Sequence, residues 1–371
     1  QIPTLMRILI PVVGGLIVGI IYKYAKVTEA EGEGVPEVME ALAHHKGTIR
    51  PIVAPIKIIT AAITLGSGGS AGREGPVIQI GSAIGSGVAQ IFKIDTDKRS
   101  LLLAAGAAAG IGGTFGAPVA GLLFTYEILH HRLTFFRGII IATAAFIGSF
   151  GTQLLTGGKG LRFITNYDIS ISPILFTSLL IIGMTSAVVA IGFGNGLALG
   201  RKLFGMISLP HMLKPALGGL FIGVIGLYIP YIHEPAAYPL TIDLINVVSI
   251  PLLFLVILLI VKTFATALTL GSGGSGGIFA PLLLTGAILG SILAHLLIHF
   301  QLITSSTATI IVITSMAAVF AAAAHAPLTA SFIVVEMTED ITLLPLLLGA
   351  CFLAAFMAKN IKKDSVYRVH E

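Results

Sequence analysis

The chain has 371 residues, of which 55% are hydrophobic and 11% charged, with a net charge of +5 and a mean hydropathy of +0.98. A soluble globular domain carries about 25% charged residues, so a water-bathed globule is excluded, because the charge needed to coat its surface is missing. The positive balance matches no nucleic-acid motif and belongs to membrane topology and lipid head groups, and Cys351, the single cysteine, permits no internal disulfide.

A bilayer-crossing helix needs roughly 20 apolar residues. The first such run covers 8–22; it lacks the small-residue cleavage site of a signal peptide, and since the first residue is Gln1 rather than Met the numbering is expected to begin inside a longer product. A glycine-rich break, LGSGGSAGREGP, follows at 65–76, and the segment APVAGLLFTYE at 117–127. Apolar runs over 138–156, 172–199, 214–230 and 250–270 lead to a second break, LGSGGSGGIFAP, at 270–281. The runs 277–298, 307–324 and 342–358 complete the set, with APLTASFIVVE at 326–336 between the last two. The pattern predicts an all-α polytopic membrane protein. Basic residues gather at His44-His45-Lys46 with Arg50, at Lys98-Arg99, at Arg201-Lys202 and at Lys362-Lys363. Positive clusters beside spans tend to face the cytoplasm, although these are too many to orient every span.

The two breaks belong to an internal repeat, the first thing to seek in any chain. A shift of 205 residues lays 57–86 on 262–291 without a gap. It pairs Lys57 with Lys262, Thr64 with Thr269, Pro76 with Pro281, and Gly81 and Gly85 with Gly286 and Gly290. Further on, Glu127 of the APVAGLLFTYE segment falls opposite Glu336 of APLTASFIVVE, at a shift of 209. Low complexity accounts for matched glycines but not for matched lysines, prolines and acids. The expected division is a first repeat over 1–170, incomplete at its start, and a second over 171–371, forming one transmembrane domain.

Glycine- and proline-broken spans at matching places in two halves point to a transporter's central site. Irregular backbone survives in a membrane only where protein or a water-filled cavity surrounds it. Each break therefore predicts a helix, a glycine loop and a new helix with proline in its first turn. The new helix offers unpaired N–H groups and about +0.5 elementary charge at its start, which attracts anions. Lys57 and Lys262, about two turns ahead of the breaks, and Arg73 within the first add positive potential. The plain alternative for the lysines is snorkelling to an interface or pairing with a carboxylate. A cation site would need acidic or carbonyl rings instead.

Glu74 sits where the helix after the first break begins. Its carboxylate either occupies the anion's own place, blocking it until protonated or displaced, or merely stabilises the helix dipole. The matching residue in the second half, Phe279, cannot titrate; it lines or plugs the path, or is a core aromatic. Two other classes compete with this reading. An intramembrane serine hydrolase would use Ser67 or Ser272 with His325 as base, but a duplicated serine loop fits a single catalytic centre poorly, and His325 reads more simply as a residue opening a helix. A cation- or amino-acid-coupled transporter built on broken helices is the other.

GREGP (72–76), GIFAP (277–281), the paired AP…E segments and GEGVPEV (32–38) resemble, in order and across essentially the whole chain, the CLC family of chloride channels and chloride/proton exchangers. The resemblance implies two inverted-topology repeats whose broken helices meet at a central anion site. It also implies a homodimer with one pore per subunit in the cell membrane, chloride as the transported ion, and no cofactor, metal or enzymatic activity. By position, the family's first two helices and its cytoplasmic regulatory domains are expected to be missing. Carried over, Glu74 is the gating glutamate and the proton-accepting group. Gly277, Ile278 and Phe279 hold the central anion through backbone N–H groups, and Tyr367 of SVYRV reaches it with its hydroxyl, unless it is an interfacial aromatic beside Lys362 and Lys363.

Two departures stand out. The family's GSGIP reads GEGVP here, so Glu33, ahead of Gly34 and Val35, replaces the anion-touching serine. A carboxylate 4 Å from chloride repels it by roughly 4 kcal/mol at an effective dielectric of 20. Glu33 is therefore protonated, turned away or a second titratable gate; the plainest reading is a loop acid facing water. In LFTYEIL (123–129), Ile128 stands where the family's exchangers carry a proton-accepting acid, and Glu127 matches a structural one. A passive, proton-gated chloride conductor is thus expected rather than an exchanger using another inner route, such as Glu33 or water. Thr329 stands where the fluoride-selective branch would carry an acid.

Overall fold

A computed structural model describes residues 3–130, 134–157, 173–233, 241, 243–244 and 250–367. Among the described residues, fourteen α-helices follow in order: α1 (Thr4–Ala25), α2 (Val35–Ala43), α3 (Val53–Gly66), α4 (Glu74–Ile91), α5 (Thr96–Phe115), α6 (Pro118–Glu127), α7 (Phe135–Thr156), α8 (Pro173–Met206), α9 (Lys214–Tyr228), α10 (Leu252–Gly271), α11 (Phe279–His299), α12 (Ser305–Ala324), α13 (Pro327–Thr338) and α14 (Leu344–Ile361). Eight stretches are long and apolar enough to cross a bilayer, and each overlaps one of the eight runs read from the sequence. The boundary expected between residues 170 and 171 lies outside the described residues.

Helices α2 to α6 and α13 lie outside those eight runs, and α3, α4 and α5 are the longest of them. Fourteen-residue α3 spans roughly 21 Å at 1.5 Å per residue, short of the roughly 30 Å hydrocarbon core. Helices α4 and α5 are diluted by glycine, alanine and serine, the small residues that let membrane helices approach closely. Helix α12 behaves oppositely. Every residue of Thr307–Ala324 is buried, as suits a helix apolar on all sides. It packs with α11, whose face is also largely enclosed, and these two form the centre of the main hydrophobic cluster.

Local chemistry sets the helix ends. The Asp95 side chain accepts from the Lys98 N–H and caps α5, which ends on Gly116 in the left-handed conformation. Pro118 and Pro327 open α6 and α13, where a missing N–H is harmless.

The halves meet through reciprocal contacts. Helices α1 and α9 touch so closely that a Cβ on Gly15 would lie 2.2 Å from the Pro215 carbonyl oxygen, and one on Gly219 2.1 Å from that of Pro11. Glu127 at the end of α6 accepts from the N–H groups of Leu328 (3.0 Å) and Thr329 (2.6 Å) at the start of α13. Glu336 of α13 accepts from Val119 (3.0 Å) and Ala120 (2.9 Å) at the start of α6. Residue i meets j while the counterpart of j meets the counterpart of i, which is the signature of a two-fold relation. The fold is thus two repeats packed about a pseudo-two-fold.

Candidate anion pathway

The breaks are two copies of one turn. The Gly69 N–H donates to the Thr64 carbonyl (2.8 Å) and Gly274 to that of Thr269 (2.9 Å). Gly68 and Gly273 sit at φ 98° and 100°, a region that only glycine enters without strain. Each turn is also clasped by the other half: the Ser70 N–H donates to Thr269 Oγ1 (3.0 Å) and the Ser275 N–H to Thr64 Oγ1 (3.1 Å). Gly72 and Gly277 exchange N–H···O bonds of 2.7 Å in an antiparallel bridge. The two glycine bends therefore lie against each other inside the protein. The Ser67 and Ser272 hydroxyls donate to the Thr64 (3.2 Å) and Thr269 (3.0 Å) carbonyls, and neither is bonded to His325, so the hydrolase arrangement is absent. His325 is the left-handed C-cap of α12, φ 56°, rather than a residue opening a helix. It is forced there because α13 starts two residues later at Pro327.

Helix α2 brings a third N-terminus to the same place. A Cβ on Gly34 would lie 2.2 Å from the Gly75 carbonyl oxygen, and one on Gly75 would lie 2.1 Å from that of Glu33 and 2.9 Å from Gly277 Cα. The starts of α2, α4 and α11 thus converge, each contributing about half a positive charge. This locus gathers Glu33, Gly34, Val35, Glu74, Gly277, Ile278 and Phe279. Glu74 is the first residue of α4 and 1% exposed. Its carboxylate folds over the break, since a Cβ on Gly72 would lie 2.3 Å from Oε2. Phe279 packs between Phe115 (centroids 5.0 Å apart) and Phe320 (4.0 Å), which makes it a core aromatic at the edge of the break.

Tyr367 follows α14 and is fully buried, held by the Val366 N–H on the Ala323 carbonyl (2.9 Å). It is therefore not an interfacial aromatic. Its hydroxyl has no hydrogen-bond partner, and the charged groups acting on it are Glu33 and Glu74. A buried hydroxyl without a partner is costly unless something is bound there.

Glu33 overturns the expectation of a loop acid facing water. It is 2% exposed and ion-paired with Arg201 of α8, while its Oε2 has no hydrogen-bond partner. The loop that carries it is pinned inward. Gln79 Nε2 donates to the Glu29 carbonyl, the Tyr22 hydroxyl to that of Ala30 (3.0 Å), and Lys57 Nζ to those of Ala30 (3.2 Å) and Gly32 (2.7 Å). The Glu37 carboxylate accepts from the Gly34 N–H (2.7 Å). Glu33 lies outside the eight spans; burial pushes its carboxyl up to about 7, against the opposing pull of Arg201.

Lys57 is wholly buried, so it does not snorkel; it binds the Glu33 loop instead. Lys262 is likewise buried and donates to the Ile232 carbonyl (3.2 Å). Arg73 is exposed at the N-cap of α4. Glu127 is committed to the α13 N-terminus, where the Thr329 hydroxyl also donates to it (2.7 Å). Ile128, which closes α6, is 2% exposed.

Beyond the Glu33 loop opens a cavity of about 1070 Å³, lined by the cations Lys46, Arg50, Arg201 and Lys214 and by the carboxylates Glu29, Glu31, Glu37 and Glu40. Arg201, 44% exposed into it, escaped the sequence reading except as one member of a topology cluster. No spacing connects residue 201 to residue 33; only the packing of α8 beside the Glu33 loop does.

The sequence model of the family described as "Voltage gated chloride channel" matches residues 14–359. A voltage-gated ClC-type chloride channel, ClcB, of Citrobacter koseri is 28% identical over 98% of this chain and 87% of its own length. An H(+)/Cl(-) exchange transporter, ClcA, of Yersinia pestis is 34% identical over 89% of this chain and 70% of its own. Among solved structures, a slow cyanobacterial Cl-/H+ antiporter superposes with a TM-score of 0.86 at 26% identity, covering 98% of this chain and 85% of that one. A CLC-type fluoride/proton antiporter shares the fold at 0.79 and 21%, over 98% of this chain and 88% of its own. The duplicated breaks, the convergent helix starts and the family match running almost end to end agree: this chain is a multi-pass membrane protein of the CLC voltage-gated chloride channel family.

Proposed function

We propose that the chain passes chloride-type anions through a pathway gated by Glu74, as a channel-like conductor without stoichiometric proton exchange. The observation carrying this reading is the meeting of the α2, α4 and α11 N-termini around a buried carboxylate and an unpartnered tyrosine hydroxyl. Three positive helix ends and the free Tyr367 hydroxyl replace an anion's lost hydration, while Glu74 competes for the same donors until protonated. Backbone N–H groups of Val35, Ile278 and Phe279 are the donors assigned, with Lys57, Arg73 and Lys262 biasing the potential; the N–H groups of Gly34 and Gly277 are held by Glu37 and by the Gly72 carbonyl, so these two glycines shape the site by close approach rather than by donating. Channel-like behaviour is favoured because Ile128 cannot carry a proton and Glu127 is spent on a helix cap. In this reading the division is 1–170 and 171–371, the active form is a homodimer with one pore per subunit, and no cofactor takes part.

The alternative is an exchanger, as one of the two relatives and both of the structural neighbours above are named, with Glu33 as the inner proton site. Reconstituted protein in which chloride and proton fluxes are recorded together separates the two. Glu74→Gln is expected to raise chloride flux and flatten its pH dependence, with no proton movement in the parent. An unchanged pH profile in that variant would count against the gate, and uphill proton movement driven by a chloride gradient would establish exchange.

A further inference from the structure

In the Glu33–Arg201 ion pair the carboxylate is buried and the guanidinium lines the 1070 Å³ cavity, so the pair stands between the anion locus and that cavity. Arg201 faces that cavity; Glu33 faces the locus. The groups around Glu33 are accounted for. On α2, Glu37 accepts from the Gly34 N–H. On α3, Lys57 is bound to loop carbonyls. On α8, Arg201 is its ion-pair partner. After α14 comes the Tyr367 hydroxyl, and on α4, Glu74. Nearby Glu31 is 3.8 Å from His211.

A guanidinium has five donors in a planar fork suited to anions. Here one N–H is spent on Glu33 Oε1, leaving Oε2 bare. An anion moving from the cavity toward the three helix starts passes Arg201, the cation at that boundary, and meets a carboxylate already holding it. Both carry the same sign, so they compete.

We propose that Glu33 and Arg201 form a second latch on the cavity side. Arg201 is the first station for an anion from the cavity, and Glu33 is a tethered competitor that must yield before the anion reaches the convergent helix ends. The latch rests on the anion-transport reading and deepens it. Because burial brings the Glu33 carboxyl to about 7, acidification from the cavity side neutralises it and frees Arg201, whereas alkaline solution keeps the pair closed. The pathway then carries two acid gates in series, Glu74 and Glu33.

The test uses full-chain protein in liposomes, with Glu74→Gln as background so that the first gate is silent. Glu33→Gln and Glu33→Ser are each expected to raise chloride efflux severalfold at cavity-side pH 8, and to abolish the rise otherwise seen as that pH falls through 7. Arg201→Gln is expected to raise the chloride concentration for half-maximal flux severalfold. Chloride titration calorimetry on monodisperse detergent protein supplies a second readout: Glu33→Ser binds chloride more tightly than its background and Arg201→Gln more weakly. If Glu33→Ser protein that elutes as the parent does shows the background's flux, pH profile and chloride affinity, the latch is refuted while the transport reading stands. If neither parent nor any variant carries chloride, both readings fall together.

Discussion

Replacing Glu127 by Gln changes one oxygen and tests what that acid does. Glu127 accepts from Leu328 N–H at 3.0 Å, Thr329 N–H at 2.6 Å and the Thr329 hydroxyl at 2.7 Å. Glutamine keeps one acceptor and turns the other into a donor, which then faces an N–H it cannot satisfy. Hydrogen bonds to a charged group contribute about 1.5–3 kcal/mol each, and a stranded buried N–H costs about 1–3 kcal/mol. Rotation of the Thr329 hydroxyl to accept from the new amide recovers part of this, and partial exposure of the carboxylate discounts it further. A net loss of about 2–4 kcal/mol remains by the same figures. The assay is thermal melting in detergent, followed by size-exclusion fluorescence, with expected melting several degrees below the parent. Glu336→Gln is expected to fall less, because Val119 and Ala120 supply two bonds and no hydroxyl. A Glu127→Gln protein that melts with the parent but alters proton movement would refute the cap and make this acid a proton carrier.

Tyr367→Phe removes a hydroxyl with no hydrogen-bond partner, so thermal stability is expected to hold within about 0.5 kcal/mol while calorimetric chloride affinity drops; a large loss of stability with unchanged affinity would contradict its assigned role. Gly34→Ala would press a Cβ to 2.2 Å from the Gly75 carbonyl oxygen, and is expected to abolish either folded yield or flux; normal values of both would mean the α2 and α4 starts are farther apart than described. Lys57→Met strands the Ala30 and Gly32 carbonyls that its ammonium binds. With each stranded buried carbonyl costing about 1–3 kcal/mol, stability should fall by roughly 2–4 kcal/mol for the two together, read as a lower melting temperature, and an unaltered melt would show that the Glu33 loop is held by other means.

Much of this was legible because duplication leaves a spacing. The shift of 205 that aligns Thr64 with Thr269 and Ser70 with Ser275 also names the partners in the clasp, although the crossing of the two bonds is visible only in three dimensions. Hydropathy located the eight long spans because each is greasy over about 20 residues. It passed over α3, α4 and α5 because they are short or built from small residues that pack by closeness rather than by apolar bulk. Glu33 was misread for a different reason. A loop acid is ordinarily solvated, and its burial here is imposed by Tyr22 from the preceding helix and by Lys57 and Gln79 from two later ones. Arg201 had no local signal at all, since a charge near the end of a span looks the same whether it faces lipid head groups or a buried carboxylate.

The crossed threonine–amide clasp at the two bends bears on how the two halves hold together. Thr64 serves Ser275 and Thr269 serves Ser70, so neither bend is self-sufficient, and pulling the two halves apart would leave each with a stranded amide. Two identical half-length polypeptides, however, would exchange the same pair of bonds across a true dyad. The interlock is the one that two identical half-chains would need to bind each other, carried here within a single chain.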